Sequence, residues 1–362
     1  MRILHVITSL ITAGAEHLMV ELLPRLRDLG HDVEIAVFDG TRFPFYEQLE
    51  AQGIKIHAFA VGGNVYNIKH IFKLRKLMKK FDVVHTHNTA PQLFSVIARC
   101  LSSAHPFLVT TEHNTSNRRR SMPWLKPLDK WMYHRYNRIV CISDKAEENL
   151  KEYLGPKFTQ ISTIYNGIDL SRFHVQPSEN ALHPQPGQFS TVMVAAFREQ
   201  KDHLTLIKAH QLLPDNYHLY LVGNDGEALV DKCQTLVSDL NIADRVHFLG
   251  IRTDVPELLA SADAVVMSSH YEGLSLSSLE GMACGKPFIA SDVDGLHEIV
   301  DGYGILFPHE DAQALADCIK KVSTDKEYAA AIATKCQQRA AQFDIALMAE
   351  NYNRVYFRFA TS

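Results

Sequence analysis

The sequence has no run of about 20 apolar residues, so a membrane-spanning helix is excluded. No G-x-G-x-x-G motif follows the first strand, which disfavours a dinucleotide-dependent enzyme. Cysteines are few, and none has the spacing of a metal site or a disulfide framework. They are Cys100, Cys141, Cys233, Cys284, Cys318 and Cys336. This usage is typical of the reducing cytoplasm, and we expect a cytoplasmic protein.

A secretory signal is also not expected at the amino terminus. The apolar stretch from Ile3 to Leu10 is short, is interrupted by three polar residues and has only Arg2 before it. We interpret it as a first β-strand that leads into a glycine turn.

Charge is distributed unevenly, although the net charge is only −4. Residues 1–175 carry a net charge of +7, and the remaining residues carry −11. The asymmetry indicates that the first half meets an anionic surface or acceptor. Nucleic acid is not an expected partner, because no recognised binding module accompanies the charge.

Strand and helix signals alternate along the chain, which predicts α/β architecture with doubly wound parallel sheets. A length of 362 residues predicts two such domains. The segment from Gln176 to Gly187 is proline-rich and lacks periodicity, as expected of a linker. We assign residues 1–172 to a first domain, residues 187–345 to a second, and residues 346–362 to a carboxy-terminal helix.

The most informative segment runs from Ser268 to Gly295. It follows an apolar strand at Ala264–Met267 and holds Glu272 and Glu280, eight positions apart and about 12 Å or less at helical rise. The backbone N–H groups between them, from Gly273 through Leu274 and Ser275 to Ser277, begin a helix and suit a phosphate. The pattern is a phosphate cradle between two carboxylates.

At these residues the chain resembles the retaining glycosyltransferases of family 4, which have the GT-B fold. The matching motif is E-G-x-x-x-x-x-x-E, then G-x-P, a strand and G-x-x-E. Its positions here are Glu272, Gly273, Glu280, Gly285, Pro287, Gly295 and Glu298. The resemblance implies two Rossmann-like domains facing a central cleft, with the last helix crossing back to the first domain. It also implies that Glu272 holds hydroxyls of the donor sugar and that Glu280 holds the ribose.

Two basic residues follow the first strand of the second domain. The resemblance implies that Lys201 clamps the donor diphosphate, where leaving-group charge develops. The family's usual arginine position falls on Ala196, and Arg198 lies two residues further along the chain. Arg198 is therefore a second catalytic candidate. The alternative is that both are solvated loop cations.

In the first domain, Gly14 lies in the turn after the first strand, where a glycine permits close approach to a phosphate or an acceptor oxygen. The family usually has two adjacent glycines there, and the other position is Ala13. His113 follows a strand end, and the resemblance implies contact with the donor sugar. His85 and His87 close another strand, and one of them is a candidate to face the acceptor. Packed or surface histidines are the alternative.

Further motifs fit the same family. Ile251 and Arg252 lie in the loop that holds the nucleotide base in the resembled proteins. Asn166 to Asp169 matches the family's hinge signature. Asp292 and Asp294 have the D-x-D spacing of metal-dependent glycosyltransferases, but we interpret them as turn residues, because the resembled fold works without a metal.

The segment Arg118–Arg138 combines basic residues with two tryptophans at helical spacing. It predicts either an amphipathic helix on an anionic membrane surface or a helix packed on its own domain with a solvated basic face. Membrane contact would place the protein peripherally at the inner membrane face.

The sequence thus predicts a metal-independent, retaining glycosyltransferase that needs no cofactor beyond its nucleotide-diphosphate sugar, for which UDP is the family's usual nucleotide. The acceptor would be a glycan or a lipid-linked molecule in cell-envelope polysaccharide or glycoconjugate assembly. Two alternatives remain open: a catalytically degenerate nucleotide-sugar-binding member, suggested by Ala13 and Ala196, and a nucleotide-sugar epimerase of similar fold.

Overall fold

The computed structural model describes residues 1–11, 14–113, 122–177, 182, 187–224 and 226–360. The chain divides into two compact units. Unit 1 comprises Met1–Gly167 and Ile345–Ser362, and unit 2 comprises Ile168–Asp344. Residues 168–172, which the sequence pattern assigns to the first domain, belong to unit 2.

Unit 1 contains a seven-stranded, all-parallel sheet in the order β3-β2-β1-β4-β5-β6-β7. The strands are β1 (Arg2–Ile7), β2 (Asp32–Asp39), β3 (Lys55–Ala60), β4 (Val83–His87), β5 (Phe107–Glu112), β6 (Arg138–Cys141) and β7 (Ile161–Thr163). The central strands are buried on both faces, as in a doubly wound sheet, because apolar side chains alternate between two separate core clusters.

Helices cover both faces of this sheet. They are α1 (Gly14–Asp28), α2 (Pro44–Ala51), α3 (Lys69–Leu77), α4 (Thr89–Cys100), α5 (Lys126–Tyr133) and α6 (Asp144–Leu154), with the carboxy-terminal helix α14 (Ile345–Ala360). Helix α14 belongs to unit 1 because its apolar face packs with α1. Tyr352 and Tyr356 are fully buried in the same core cluster as Leu18 and Leu22.

Unit 2 contains a six-stranded, all-parallel sheet in the order β10-β9-β8-β11-β12-β13. Its strands are β8 (Phe189–Val194), β9 (Tyr217–Val222), β10 (Val246–Gly250), β11 (Ala264–Met267), β12 (Phe288–Asp292) and β13 (Ile305–Pro308). Its helices are α7 (His203–Gln211), α8 (Glu227–Asp239), α9 (Val255–Ser261), α10 (Leu276–Ala283), α11 (His297–Val300), α12 (Ala312–Thr324) and α13 (Lys326–Ala340).

The strands that the sequence predicts within residues 3–10 and at residues 264–267 are confirmed as β1 and β11. The sequence pattern missed β3, β7 and β13. These three strands are short or half-exposed, and β13 ends in a proline, so their apolar signal is weak. No helix in the described part of the chain is both long and apolar enough to cross a bilayer.

One predicted helix is wrong in extent. Of the segment Arg118–Arg138, residues 118–121 lie outside the described residues. The helix itself is only α5, after a 3-10 turn at Pro123–Leu125, and Arg138 already begins β6. The helix ends at Tyr133, where tight turn bonds replace the helical ones, and Asn137 N then donates to Leu108 O at 2.9 Å as the chain enters β6.

Candidate active site

Glu272 lies in the loop between β11 and α10, at the carboxyl edge of the unit 2 sheet. This is where open parallel sheets bind ligands. The side chain is buried, with 6% of the residue exposed, and its carboxylate accepts hydrogen bonds from Ser269 Oγ at 2.7 Å and Gln200 Nε2 at 3.2 Å. These contacts fix the carboxylate in one orientation.

Lys201 forms an ion pair with this same carboxylate. The backbone brings the two together, because Lys201 forms an isolated antiparallel bridge with Ser269, and Asp202 N donates to Ser268 O at 3.0 Å. Only 14% of the lysine side chain is exposed. The structure therefore brings together Lys201, which the sequence assigned to the diphosphate, and Glu272, which it assigned to the sugar. The lysine places a cation with three N–H donors at the edge of the sheet.

Glycine packing determines where the Glu272 loop lies. Glu272 N donates to Asp294 O at 3.1 Å, and the next residue, Gly295, has a φ of +84°. A Cβ on Gly295 would lie 2.3 Å from both Glu272 O and Gly273 O. The loop after β12 therefore supports the loop after β11 only while position 295 is glycine. Glu298 Oε2 accepts from Gly295 N at 2.6 Å and completes this turn.

The backbone amides of residues 273–277, for which the sequence predicts a phosphate, lie at the start of α10. Within the described residues, no acceptor takes a hydrogen bond from the N–H groups of residues 273–277, while Ser278 N and Leu279 N already bond to Ser275 O. Amides at the amino-terminal end of a helix attract an anion. Leu274 is buried, and Gly273 has open space where a Cβ would stand. Glu280 lies half-buried within α10, where the sequence predicted it.

The remaining predicted residues of unit 2 lie in neighbouring loops at the same edge. Arg198 is exposed in the turn after β8. Ile251 is 74% exposed after β10. Arg252 forms a two-pronged pair with Asp254, at 2.8 and 2.6 Å. That pairing raises the pKa of Arg252 and lowers the pKa of Asp254.

In unit 1, His113 lies directly after β5 and contacts a row of histidines. His113 Nε2 lies 2.9 Å from His87 Nδ1, and His87 Nε2 lies 3.0 Å from His5 Nδ1. His85 packs beside this row, with its ring centroid 4.4 Å from that of His87. Its own nitrogens are engaged elsewhere, with Nδ1 at 2.7 Å from Tyr356 OH and Nε2 at 2.8 Å from Thr111 Oγ1. Strands β1, β4 and β5 are adjacent, which explains why their histidines meet.

These histidines are uncharged at neutral pH. Burial lowers the pKa of His5 to about 3 and the pKa of His113 to about 4. Burial, with the neighbouring imidazoles, also holds the pKa values of His85 and His87 well below the usual range. These four histidines therefore offer neutral hydrogen-bonding groups.

Gly14 begins α1, and a Cβ there would meet no atom within 4 Å. The preceding Thr12 and Ala13 lie outside the described residues. Several contributors to the two edges were missed from the sequence: Gln200, Ser269 and His5. Each lies within a few residues of a strand end or within a strand that carries polar residues, which is the only signal that could have identified them.

Two groups of side chains in the described part of the chain have ligand atoms close enough together to bind a metal ion. One is His5, His85 and His87, and the other is His270, His309 and Glu310. In the second group, His270 Nδ1 lies 2.8 Å from His309 Nε2 and 3.4 Å from a carboxylate oxygen of Glu310. Asp292 of the D-x-D pair instead bonds to His297 Nδ1 at 2.6 Å, and this contact raises the pKa of His297.

Comparison with known proteins gives a consistent result for both units. The family model described as "Glycosyltransferase Family 4" matches residues 12–172, and the model described as "Glycosyl transferases group 1" matches residues 177–339. Together the two models cover most of the chain.

Among curated relatives, the chain is 29% identical over 283 residues to an Escherichia coli UDP-Gal:α-D-GlcNAc-diphosphoundecaprenol α-1,3-galactosyltransferase, with 72% of each chain covered. It is 24% identical to a Campylobacter jejuni N,N'-diacetylbacillosaminyl-diphospho-undecaprenol α-1,3-N-acetylgalactosaminyltransferase, with 96% of each covered. Among solved structures, Anabaena HepE in complex with UDP aligns with a TM-score of 0.87 at 23% identity, covering 98% of this chain and 99% of that one. The chain belongs to the family 4 glycosyltransferases and has their GT-B fold.

Proposed function

We propose that this chain is a retaining, metal-independent glycosyltransferase that moves a sugar from a UDP-sugar to a hydroxyl of a lipid-linked or glycan acceptor in cell-envelope assembly. The observation that supports this most directly is the composition of the unit 2 edge. A fixed carboxylate and a paired lysine lie beside amides 273–277, which have no protein acceptor among the described residues.

Each part of that edge suits one part of a nucleotide sugar. The amides and Lys201 would stabilise the diphosphate, whose negative charge rises as it leaves. Glu272, held by Ser269 and Gln200, would accept hydrogen bonds from sugar hydroxyls, and Glu280 would accept those of the ribose. Arg198 lies on the turn that carries Lys201 and is the second candidate for the diphosphate, while Ile251 and Arg252 border the base.

The proposed reaction is a front-face substitution. The bond between the anomeric carbon and the diphosphate oxygen breaks, and the acceptor oxygen bonds to the same face of that carbon. The acceptor proton passes to an oxygen of the departing diphosphate, so no side-chain nucleophile is required. Unit 1 would bind the acceptor near Gly14, and His113 would contact the transferred sugar.

The choice of donor and acceptor is supported by the relatives. The E. coli protein is named for a UDP-linked donor, and both curated relatives are named for undecaprenol-diphosphate acceptors. HepE was solved with UDP. The exposed side chains of Trp124 and Leu128 (74% and 40%) and of Trp131 (36%) offer a surface for an anionic membrane that holds such an acceptor.

A donor panel tests this function. Purified protein is incubated with UDP- and other nucleotide-linked sugars and undecaprenol-diphosphate acceptors, and nucleoside diphosphate release is measured with and without EDTA. We expect release with a UDP-sugar, unchanged by EDTA. In the product NMR spectrum we expect an equatorial anomeric proton with a small coupling constant, as retention of an α-linked donor sugar requires. An inverted anomer or complete loss in EDTA would contradict the retaining, metal-independent assignment.

A second candidate function is binding of a nucleotide sugar without turnover. It is favoured by Ala196, which stands at the position where the resembled family usually has an arginine, because an alanine side chain cannot bind the diphosphate. Tight donor binding by calorimetry with no release on any acceptor would support this candidate. Interconversion of the donor without an acceptor would instead indicate an epimerase.

A further inference from the structure

The three imidazoles of His5, His87 and His113 form one continuous hydrogen-bonded row, which we name the histidine row. His5 and His87 are 0% exposed, and their rings stack at 5.3 Å between centroids. The row has two junctions, at 3.0 and 2.9 Å. His5 Nε2 is buried at the inner end, and no hydrogen-bond partner lies near it among the described residues.

The junctions are those of a proton-sharing row and not of a metal centre. A nitrogen-to-nitrogen distance of 3.0 Å between His5 and His87 is that of an N–H···N hydrogen bond. Two imidazoles bound to one tetrahedral zinc, each at about 2.0 Å, would hold their nitrogens roughly 3.3 Å apart. Both nitrogens of His85 are also already engaged by Tyr356 and Thr111.

Because each neutral imidazole carries one N–H, the row permits only two arrangements of its protons. Either all three rings carry the proton on Nδ1, or all three carry it on Nε2. A mixture would leave one junction with two donors or with none. The second arrangement places an N–H at His5 Nε2, where it has no acceptor. Buried N–H groups without an acceptor are rarer in proteins than under-used acceptor atoms.

We infer that His87 is a positioning residue that, with His5 behind it, fixes His113 as the Nδ1–H tautomer. His87 Nδ1 donates to His113 Nε2, so that ring nitrogen is occupied and the proton of His113 sits on Nδ1. His113 then presents an N–H donor to a ligand and cannot turn without breaking the row. This inference rests on the proposed contact between His113 and the transferred sugar.

The chemical consequence is the direction of the hydrogen bond. An Nδ1–H group donates to a sugar hydroxyl oxygen, whereas a bare imidazole nitrogen would accept the hydroxyl proton. The row is neutral, so it would orient the sugar without attracting the diphosphate. The tautomer of His113 is thereby determined at the other end of the row, by His5 Nε2 on β1, which has no hydrogen-bond partner among the described residues.

The experiment is histidine side-chain 15N NMR at pH 7.5 on ligand-free protein, with each signal assigned by its loss in a single-histidine variant. We expect His5, His87 and His113 all to show the Nδ1–H pattern, although Nε2–H predominates in free histidine. In His87→Leu, the His113 signal should shift to Nε2–H or to a mixture. In the control His85→Leu, which removes a buried imidazole that packs beside the row without a hydrogen bond to it, the His113 signal should not change.

Function gives a second readout. We expect kcat of His87→Leu to fall about tenfold with an unchanged donor KM, a loss at the lower end of those seen when an orienting partner of a functional histidine is removed. His87→Asn, whose side-chain amide can still donate to His113 Nε2, should restore most of it. Thermal melts confirm folding of each variant.

The inference is overturned by Nε2–H or mixed tautomers in the wild-type row, by an unchanged His113 signal in His87→Leu, or by a stoichiometric metal in the purified protein. The NMR result does not depend on turnover. A wild-type protein with the expected tautomers but no transferase activity would refute the proposed function and leave the tautomer assignment standing.

Discussion

The two sheets end in edges of opposite character. At the edge of unit 1, the functional candidates are neutral imidazoles joined to one another, with pKa values lowered by burial. At the edge of unit 2, a lysine and a carboxylate are paired beside amides at the start of a helix. The same architecture therefore supplies joined neutral histidines in one unit and a charged pair in the other.

The largest effect is expected from removal of the lysine at the edge of unit 2. We expect Lys201→Ala to lower kcat by about 10²- to 10³-fold, the loss typical of one donor to a developing anion. The change also leaves the buried Glu272 carboxylate without its counter-charge, which costs about 3–5 kcal/mol of stability. Nucleoside diphosphate release and thermal denaturation separate the two effects.

Lys201→Arg is the matched control, because it keeps the charge and should retain both folding and part of the activity. Arg198→Ala should have a smaller effect than Lys201→Ala. If Lys201→Ala remains folded with full turnover, the diphosphate is not held by this residue.

The next largest effect is expected from the support of the Glu272 loop. Gly295→Ala combines a left-handed backbone, which costs about 1–2 kcal/mol, with a Cβ 2.3 Å from two carbonyl oxygens. We expect a loss of at least about 3 kcal/mol in the free energy of unfolding, measured by denaturant titration, and a raised donor KM.

Gly302→Ala separates the two causes, because Gly302 has a φ of +78° but open space at the Cβ position. It should lose only the backbone term, about 1 kcal/mol. Equal losses in the two variants would mean that the packing of Gly295 on the Glu272 loop does not contribute.

The neutral edge of unit 1 predicts a dependence of stability on pH. The folded-state pKa of His5, about 3, lies below the unfolded value of about 6.5. Well above pH 6.5, His5 is neutral in both states, and its burial carries no protonation cost. The free energy of unfolding falls as the pH drops from 6.5 towards the folded-state pKa. One such histidine loses about 1.4 kcal/mol per pH unit, or about 2 kcal/mol between pH 6.5 and 5.

Denaturant unfolding between pH 7.5 and 5 checks this sign and size. His5→Phe should reduce the slope, whereas His309→Asn, a change at an exposed position, should not. His203 and His210 of unit 2, whose pKa values burial lowers to about 4, add to the slope of the whole chain in both variants. A slope unaffected by His5→Phe would mean that His5 is not buried in its neutral form.

The smallest expected effect concerns the second carboxylate of unit 2. Glu280→Ala should raise the donor KM about tenfold, or about 1.4 kcal/mol, because it removes a charged acceptor from the ribose but no contact to the leaving group. Glu310→Ala, which removes an exposed acid of the same unit, is the control. A large fall in kcat with KM unchanged would assign Glu280 to the reaction centre instead of the ribose.

The sequence predicted the fold and most of the unit 2 edge, because its signals are local. The strand at 264–267, the glutamates and the helix start lie in one continuous segment, and their order defines their positions. The pairing of Lys201 with Glu272 could not be predicted, since it depends on a backbone bridge between residues 201 and 269. The histidine row is similar: adjacency of β1 with β4, and of β4 with β5, brings together residues 5, 87 and 113.

The segment 118–138 shows a case in which the local pattern did not predict the structure. Its spacing over residues 118–138 predicted one long helix, but the helix ends at Tyr133, and the chain pairs with β5 from residue 137 on. What remains is an exposed group of Trp124, Leu128 and Trp131, whose contact with lipid stays a prediction. Co-sedimentation with anionic liposomes, compared between wild type and Trp124→Ser, tests it.

The most direct test is a crystal structure of the protein soaked with its nucleotide-diphosphate sugar. The diphosphate should lie against the amides of residues 273–277 and within hydrogen-bond distance of Lys201 Nζ, with the sugar at Glu272 and the ribose at Glu280. A nucleotide sugar bound away from these carboxylates, or held by unit 1 alone, would contradict the division between a charged donor edge and a neutral histidine edge.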